Sequence, residues 1–362
     1  MAGRNGVVGL VHSEVCRVLG LLGLLGAVFA GFMVDALASP DHADETENDG
    51  AGDAPDDTGG FDGDGSLLDD PDDPNAASGP DAGMPVSDDA AAPQDKDVTL
   101  EGGEANDILT GDGGNDLISG DAGNDLLGGR AGDDLINGGN GEDWVHGGEG
   151  GDTLSGASGA DDLHGEGGDD RLGGGAGADV LSGDGGRDLV SAGGGNDGLI
   201  GGEGADVLRG GKGDDGLQGG LDDDQLFGGD GSDTVDGNDG DDDLWGDRAA
   251  AGDDAVDFLN GGAGHDDLNL GAGDYGNGGA GADRFVLSDI TAGDPLAEIT
   301  DFDGAEDALV LIYDASVHAD PEVSIVTEAG SPDAVVMLDG VPVAHVLGGA
   351  GLKAADVTLQ TA

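Results

Sequence analysis

An aspartate returns at every ninth residue from Asp107 to Asp242, sixteen times without a slip. The series is Asp107, Asp116, Asp125, Asp134, Asp143, Asp152, Asp161, Asp170, Asp179, Asp188, Asp197, Asp206, Asp215, Asp224, Asp233 and Asp242, and three further copies centre on Asp257, Asp266 and Asp283. Carboxylates on a fixed spacing are oxygen donors for cations. The chain has the charge to gather them, with 79 acidic residues against 11 Lys and Arg and a formal net charge of −68. That sign excludes nucleic acid as a partner, because phosphates demand a basic surface. Cys16 is the single cysteine, so neither an internal disulfide nor a thiolate metal site is available. No H-E-x-x-H or G-x-S-x-G occurs, and the chain is read as not an enzyme. The histidines are scattered. His146 and His164 lie 18 residues apart on one outer face, but without a third ligand they read as surface residues.

The elements that position these aspartates are nine-residue blocks counted from Gly102, sixteen of them ending at Trp245. Aspartate is always at place six, and Leu, Ile or Val always at place eight. Place one is glycine except at Ala192, and place four is glycine except at Ala105 and Asp222. Place five varies and reads as tuning or surface charge. Glycine at places one and four grants backbone angles closed to other residues and lets carbonyls approach a cation. Places one to six are expected to form a turn, and seven to nine a short strand with its middle residue pointing inward.

The blocks resemble the nonapeptide G-G-x-G-x-D-x-U-x of the hemolysin-type, or RTX, calcium-binding proteins. The segment "GGAGADRFVL…ITDFDGAEDALVL" looks like that family's exit into a C-terminal cap. The resemblance implies an all-β fold, a parallel β-roll (β-helix) solenoid of calcium-binding repeats with a C-terminal β-strand cap. Two blocks then make one coil of 18 residues. Asp116 faces Asp134 rather than its neighbour Asp125, and Asp107 faces Asp125. Calcium takes six to eight oxygen ligands, which two stacked loops supply as two carboxylates plus main-chain carbonyls. All nineteen aspartates are assigned as metal ligands on this basis. Sixteen loops stacked two apart allow at most 14 Ca²⁺ sites in the uninterrupted repeats. Residues 102–245 carry 35 acids and 5 bases, a net of −30, which 14 Ca²⁺ nearly neutralise. Each block buries one aliphatic side chain, contributing roughly 1.5–3 kcal/mol. Ordering nine backbones costs on the order of 9–18 kcal/mol. The repeats are therefore expected to fold on binding Ca²⁺.

Residues 1–38 read as a signal peptide or a membrane anchor, with an apolar run from Val18 to Val34 and an A-x-A pattern at Ala36 and Ala38. Anchoring would run through residues 18–34. Residues 39–97, rich in Pro, Gly and acids, read as a disordered acidic linker. Residues 98–286 form the roll. Six extra residues, "GDRAAA", precede the Asp257 block, and an off-frame "LGAGDYGN" precedes the Asp283 block. Residues 287–362 form the β cap and a candidate secretion region. "RFVL", "EITDF", "ALVLI", "VSIVT", "AVVML" and "VPVAHVL" read as strands, the last two joined by an Asp339-Gly340 hairpin turn. The body is placed outside the cell or at its surface. The expected function is calcium ion binding by a secreted or surface-attached bacterial protein with a structural or adhesive role. The alternative is a non-catalytic carrier, since family members leave Gram-negative bacteria by type I secretion; the N-terminal apolar segment counts against that route. At place seven, Ile108, Leu126 and Trp144 line one outer face, and Leu117 and Leu135 the other. This is a contact surface for a cell-surface or matrix partner or for self-association, unless residues 97–101 cover it.

Overall fold

The computed structural model describes residues 96–247, 255–288, 293–327 and 329–362. The segments read as signal or anchor and as acidic linker, up to residue 95, lie outside the described residues.

Each block leaves its turn at the place-six aspartate and runs extended for six residues, as in Leu117–Ala122, Leu126–Ala131, Leu135–Asn140 and Trp144–Glu149. Leu117–Ala122 pairs in parallel with Leu135–Asn140, placing Ile118 opposite Ile136. Leu126–Ala131 pairs likewise with Trp144–Glu149. Partners are 18 residues apart, so two blocks make one coil and alternate strands build two facing sheets, of 13 and 14 strands among the described residues. The strands outrun the three residues that the block pattern predicts. Places two and three of the following block find ladder partners in the stacked coil, which confines the turn to places four to six. The register skips place one, passing from Ser119 opposite Asn137 to Asp121 opposite Gly139.

The place-eight residues point inward from both sheets and form one continuous core, from Ile118 and Leu127 through Leu208 and Leu226 to Leu268 and Phe285. Places seven and nine face outward. The core is one side chain deep per strand, and its continuity depends on every coil keeping the same register.

Left-handed backbone occurs at places two and four. Place two adopts it even without glycine, at Asp121 (φ 71), Arg130 (φ 90), Ala157 (φ 77) and Glu166 (φ 75). Each of these costs about 1–2 kcal/mol relative to glycine. Place-one glycines are not left-handed, so the conformational reason expected for them does not hold.

The two stumbles in the frame resolve differently from their sequence appearance. Gly246 holds the place-one position for Asp257, packing against its carboxylate as every other place-one glycine does. The extra residues therefore lie inside that block, after its first positions, rather than before it. The "LGAGDYGN" segment is a block shortened by one residue and in frame with the stack: Asp274 stands at place six, and Tyr275–Gly281 pairs with Phe258–Gly264. Its place eight is Gly276, and the buried Leu270 side chain fills the core space that Gly276 leaves.

The six strands expected in the C-terminal region are present, the "EITDF" one as Ala297–Ile299, and a seventh, Val357–Thr361, closes the first sheet. Arg284–Leu287, Ala308–Tyr313 and Val357–Thr361 continue the parallel stacking. The second sheet instead ends in an antiparallel meander of Val341–Val346, Ala334–Leu338 and Val323–Thr327. Asp339 (φ 51) and Gly340 (φ 80) are both left-handed, as a type I′ turn requires. At the other end, Thr99–Gly103 is the edge strand of the first sheet. It extends the sheet instead of covering it, leaving Ile108 76% and Trp144 61% exposed.

Candidate metal centre

The place-six aspartates form two ladders, one along each edge of the roll. The backbone N–H of each donates to Oδ1 of the aspartate one coil further on. On one edge Asp116 donates to Asp134 (2.7 Å), Asp134 to Asp152 (2.7 Å) and Asp152 to Asp170 (2.6 Å). On the other, Asp125 donates to Asp143 (2.8 Å) and Asp143 to Asp161 (2.9 Å). The first ladder runs on through Asp188, Asp206, Asp224, Asp242, Asp266 and Asp283. The second passes Asp179, Asp197, Asp215, Asp233 and Asp257 to reach Asp274. The 18-residue pairing expected from the sequence is thus the pairing observed, and it survives both irregular blocks.

One oxygen of each carboxylate is occupied by this hydrogen bond. The other is not. Sixteen ladder Oδ2 atoms, on the aspartates from Asp125 to Asp266, are buried without a protein hydrogen-bond partner. An unpaired buried acceptor costs about 1–3 kcal/mol, and more when charged. Their position explains the place-one glycines. A Cβ on Gly120 would collide with Asp125 Oδ2 in its own block and with the carbonyl oxygen of Gly138 in the next coil. The same holds at Gly129, against Asp134 Oδ2 and the Gly147 carbonyl. Without a side chain at place one, a carboxylate oxygen and a main-chain carbonyl oxygen approach each other over a bare Cα. Among the described residues no three His, Cys, Asp or Glu side chains converge on one point. The donors here pair carboxylate with carbonyl, the hard-oxygen chemistry of calcium rather than the N/S chemistry of zinc.

Burial raises the carboxyl pKa values along the ladders, and neighbouring carboxylates add to the effect. Asp152, Asp161, Asp206 and Asp242 are pushed up to about 6. Asp188, Asp215 and Asp266 reach about 7. Asp224 and Asp257 reach about 8. The hydrogen bond from the backbone N–H opposes the rise in each case but is outweighed by desolvation. The environment disfavours a bare charge and concentrates carboxylates, a combination that a cation relieves.

Of the nineteen aspartates singled out in the sequence, sixteen present the unpartnered Oδ2. The others sit at ladder ends. Asp107 is only half-buried, and Asp116 Oδ2 accepts the Asp112 N–H (3.0 Å). Asp283 donates its N–H to Asp307, whose Oδ2 accepts from Asp303 N–H (2.7 Å). Asp274, hidden by the shortened block, completes the second ladder, and its Oδ2 accepts the Gly271 N–H (2.6 Å). Place five also carries a role that its variability concealed. Asn106, Asn115 and Asp133 each accept the backbone N–H of place five in the next coil (3.0–3.1 Å), forming an outer rail beside the aspartate ladder. The preference for Asn and Asp among its varied residues is the signal that points to this rail.

On the outer face of the second sheet, the His146 and His164 rings stack 5.2 Å apart. Carboxylates flank them: Glu166 lies 3.3 Å from His146, and Asp162 lies 3.0 Å and Asp184 3.4 Å from His164.

A family model described as RTX calcium-binding nonapeptide repeat (4 copies) matches residues 99–127, 127–154, 146–181, 164–199, 182–217, 191–226, 218–250 and 249–276. No curated protein matches the chain.

Proposed function

Because residues 99–276 belong to the RTX calcium-binding nonapeptide repeat family, we propose that this chain is a secreted or surface-attached bacterial protein whose roll folds as calcium binds and then serves a structural or adhesive role. The observation that carries this is the double row of buried Oδ2 atoms without protein partners. Asp125, Asp143, Asp161 and their successors on one edge, and Asp134, Asp152, Asp170 and theirs on the other, are the carboxylate ligands. The carbonyls of place-one glycines such as Gly138 and Gly147 are the main-chain ligands. Calcium, when bound, supplies positive charge between coils that otherwise bring carboxylates together. The chain itself does the rest. Oδ1 fixes each carboxylate to the neighbouring backbone, place-one glycine keeps the approach open, and the place-eight side chains lock successive coils in register. Ligand spacing is thereby tied to strand pairing, so a site exists only where two coils are stacked, which couples binding to folding.

Extracellular placement rests on residues 1–38, whose apolar run precedes the linker. Among the described residues, no helix is long and apolar enough to cross a membrane. The Ile108–Leu126–Trp144 face is the surface offered to a cell-surface or matrix partner, or to a second copy.

The test is a calcium titration of the full chain after treatment with EDTA, followed by circular dichroism near 218 nm. Sheet signal rising near 10⁻⁴–10⁻³ M calcium, the range of extracellular modules, is the expected result. An unchanged spectrum through ~10 mM calcium overturns the proposal.

A further inference from the structure

Place one is glycine in every uninterrupted block but one, and the exception, Ala192, lies well inside the stack. Its neighbours along the same ladder show what that position tolerates. A Cβ on Gly174 would collide with Asp179 Oδ2 and press on the carbonyl oxygen of Ala192, and one on Gly210 would collide with Asp215 Oδ2 and the carbonyl oxygen of Gly228. Ala192 carries the methyl that these positions exclude, and it is fully buried, so the methyl has no exit to solvent.

The surrounding structure does not move aside for it. Leu189–Gly194 keeps its register with Arg171–Ala176 on one side and Val207–Lys212 on the other. Asp197, the place-six residue of this block, still accepts the Asp179 N–H at Oδ1 (2.8 Å) and donates its own N–H to Asp215 Oδ1 (2.9 Å). With backbone and Oδ1 both pinned, Oδ2 is the part of Asp197 left to yield. By the repeat geometry, the methyl stands between that oxygen and the Gly210 carbonyl, the two kinds of donor that meet at Gly174 and Gly210 on either side of it. Asp197 Oδ2 stays buried and unpartnered.

We propose that Ala192 closes the calcium site of Asp197 and so divides the ladder from Asp125 to Asp257 into two separately loaded stretches, while the opposite ladder, from Asp134 to Asp266, loads without a break. This rests on the calcium reading of the ladders. It makes one residue of an otherwise uniform array a built-in boundary, with Asp179 the last ligand before it and Asp215 the first after it.

The experiment compares calcium midpoints of folding, by circular dichroism, for full-length wild type, D197N, D215N, A192G and the A192G/D197N double variant. Asparagine keeps the Oδ1 acceptor, so the ladder hydrogen bond is preserved in each. With the site closed, D197N leaves the wild-type midpoint unchanged, whereas D215N raises it severalfold. A192G lowers the midpoint, and adding D197N to A192G reverses that gain. Equal shifts from D197N and D215N in the wild-type background overturn the proposal, as does an A192G midpoint equal to wild type. No calcium response in any of the five proteins overturns the functional reading itself, and the boundary with it.

Discussion

Binding calcium at pH 7.5, or lowering the pH to about 5 after EDTA has removed the metal, neutralises the buried carboxylates in two different ways. A folded-state pKa of about 6 in place of 3.8, as at Asp152, Asp161, Asp206 and Asp242, sets a ceiling of roughly 3 kcal/mol on each group's preference for the neutral form, which solvent screening lowers to about 1–2 kcal/mol. Asp188, Asp215, Asp224, Asp257 and Asp266 are raised further, and because a typical domain has only about 5–15 kcal/mol in total, even a few such groups weigh on the fold. The sign is opposite to that of an ordinary salt-bridged aspartate. The folded pKa lies above the unfolded one, so the contribution to stability is fully present below about pH 4 and is lost as pH rises through 6 to 8. The metal-free chain should therefore be unfolded at pH 7.5 and regain part of its sheet at pH 5 with EDTA still present. At pH 7.5, calcium should restore the sheet completely. Circular dichroism and size-exclusion chromatography read both transitions. A sheet spectrum at pH 7.5 in EDTA equal to that in calcium would refute the reasoning, because the ionised ladders would then cost the fold nothing.

Other outcomes follow from single positions. G129A should raise the calcium midpoint of folding, because its Cβ meets Asp134 Oδ2 and the Gly147 carbonyl, whereas G128A next to it should leave the midpoint unchanged, its Cβ meeting only Thr110 at 3.8 Å. L208A, at a fully buried core position, should lower the stability of the calcium-loaded roll by about 2–5 kcal/mol in thermal or denaturant unfolding. The hydrogen bond with Asp162 holds His164 above the ordinary imidazole value of 6.5, so its NMR titration midpoint should lie higher than that and move down in D162N. The half-exposed pair should add less than ~1 kcal/mol of stability, present below the unfolded pKa and lost as pH rises through the raised one.

Much of the roll was legible because its two essential columns are chemically extreme. A charged residue at place six and an aliphatic one at place eight made the resemblance to the RTX nonapeptide plain, and the 18-residue pairing came with that resemblance. What stayed hidden had its cause elsewhere in the structure. Asp274 sits in a shortened block whose place eight is glycine, and only the packing of Leu270 over Gly276 shows that the core is continuous there. Gly246 belongs to the Asp257 block through its contact with that carboxylate, a relation that crosses the extra residues and leaves no trace in spacing. The glycines of place one looked conformational but are steric, since the atom that excludes a side chain is five residues along, on the place-six aspartate. Place five looked like loose surface charge because Asn and Asp serve equally well as acceptors of the next coil's N–H.

The closing meander on the second sheet restricts how such a chain can change length. Val341–Val346 docks on Ala297–Ile299, and Val357–Thr361 on Ala308–Tyr313, each at the end of a particular sheet. Deleting one nine-residue block would send every later strand to the opposite face and present the terminal strands to the wrong sheet. Deleting two would shorten the stack by one rung and leave the end intact. Duplication and loss in this gene are therefore tolerated in multiples of eighteen codon triplets, and an odd block count can persist only if a compensating change elsewhere restores parity.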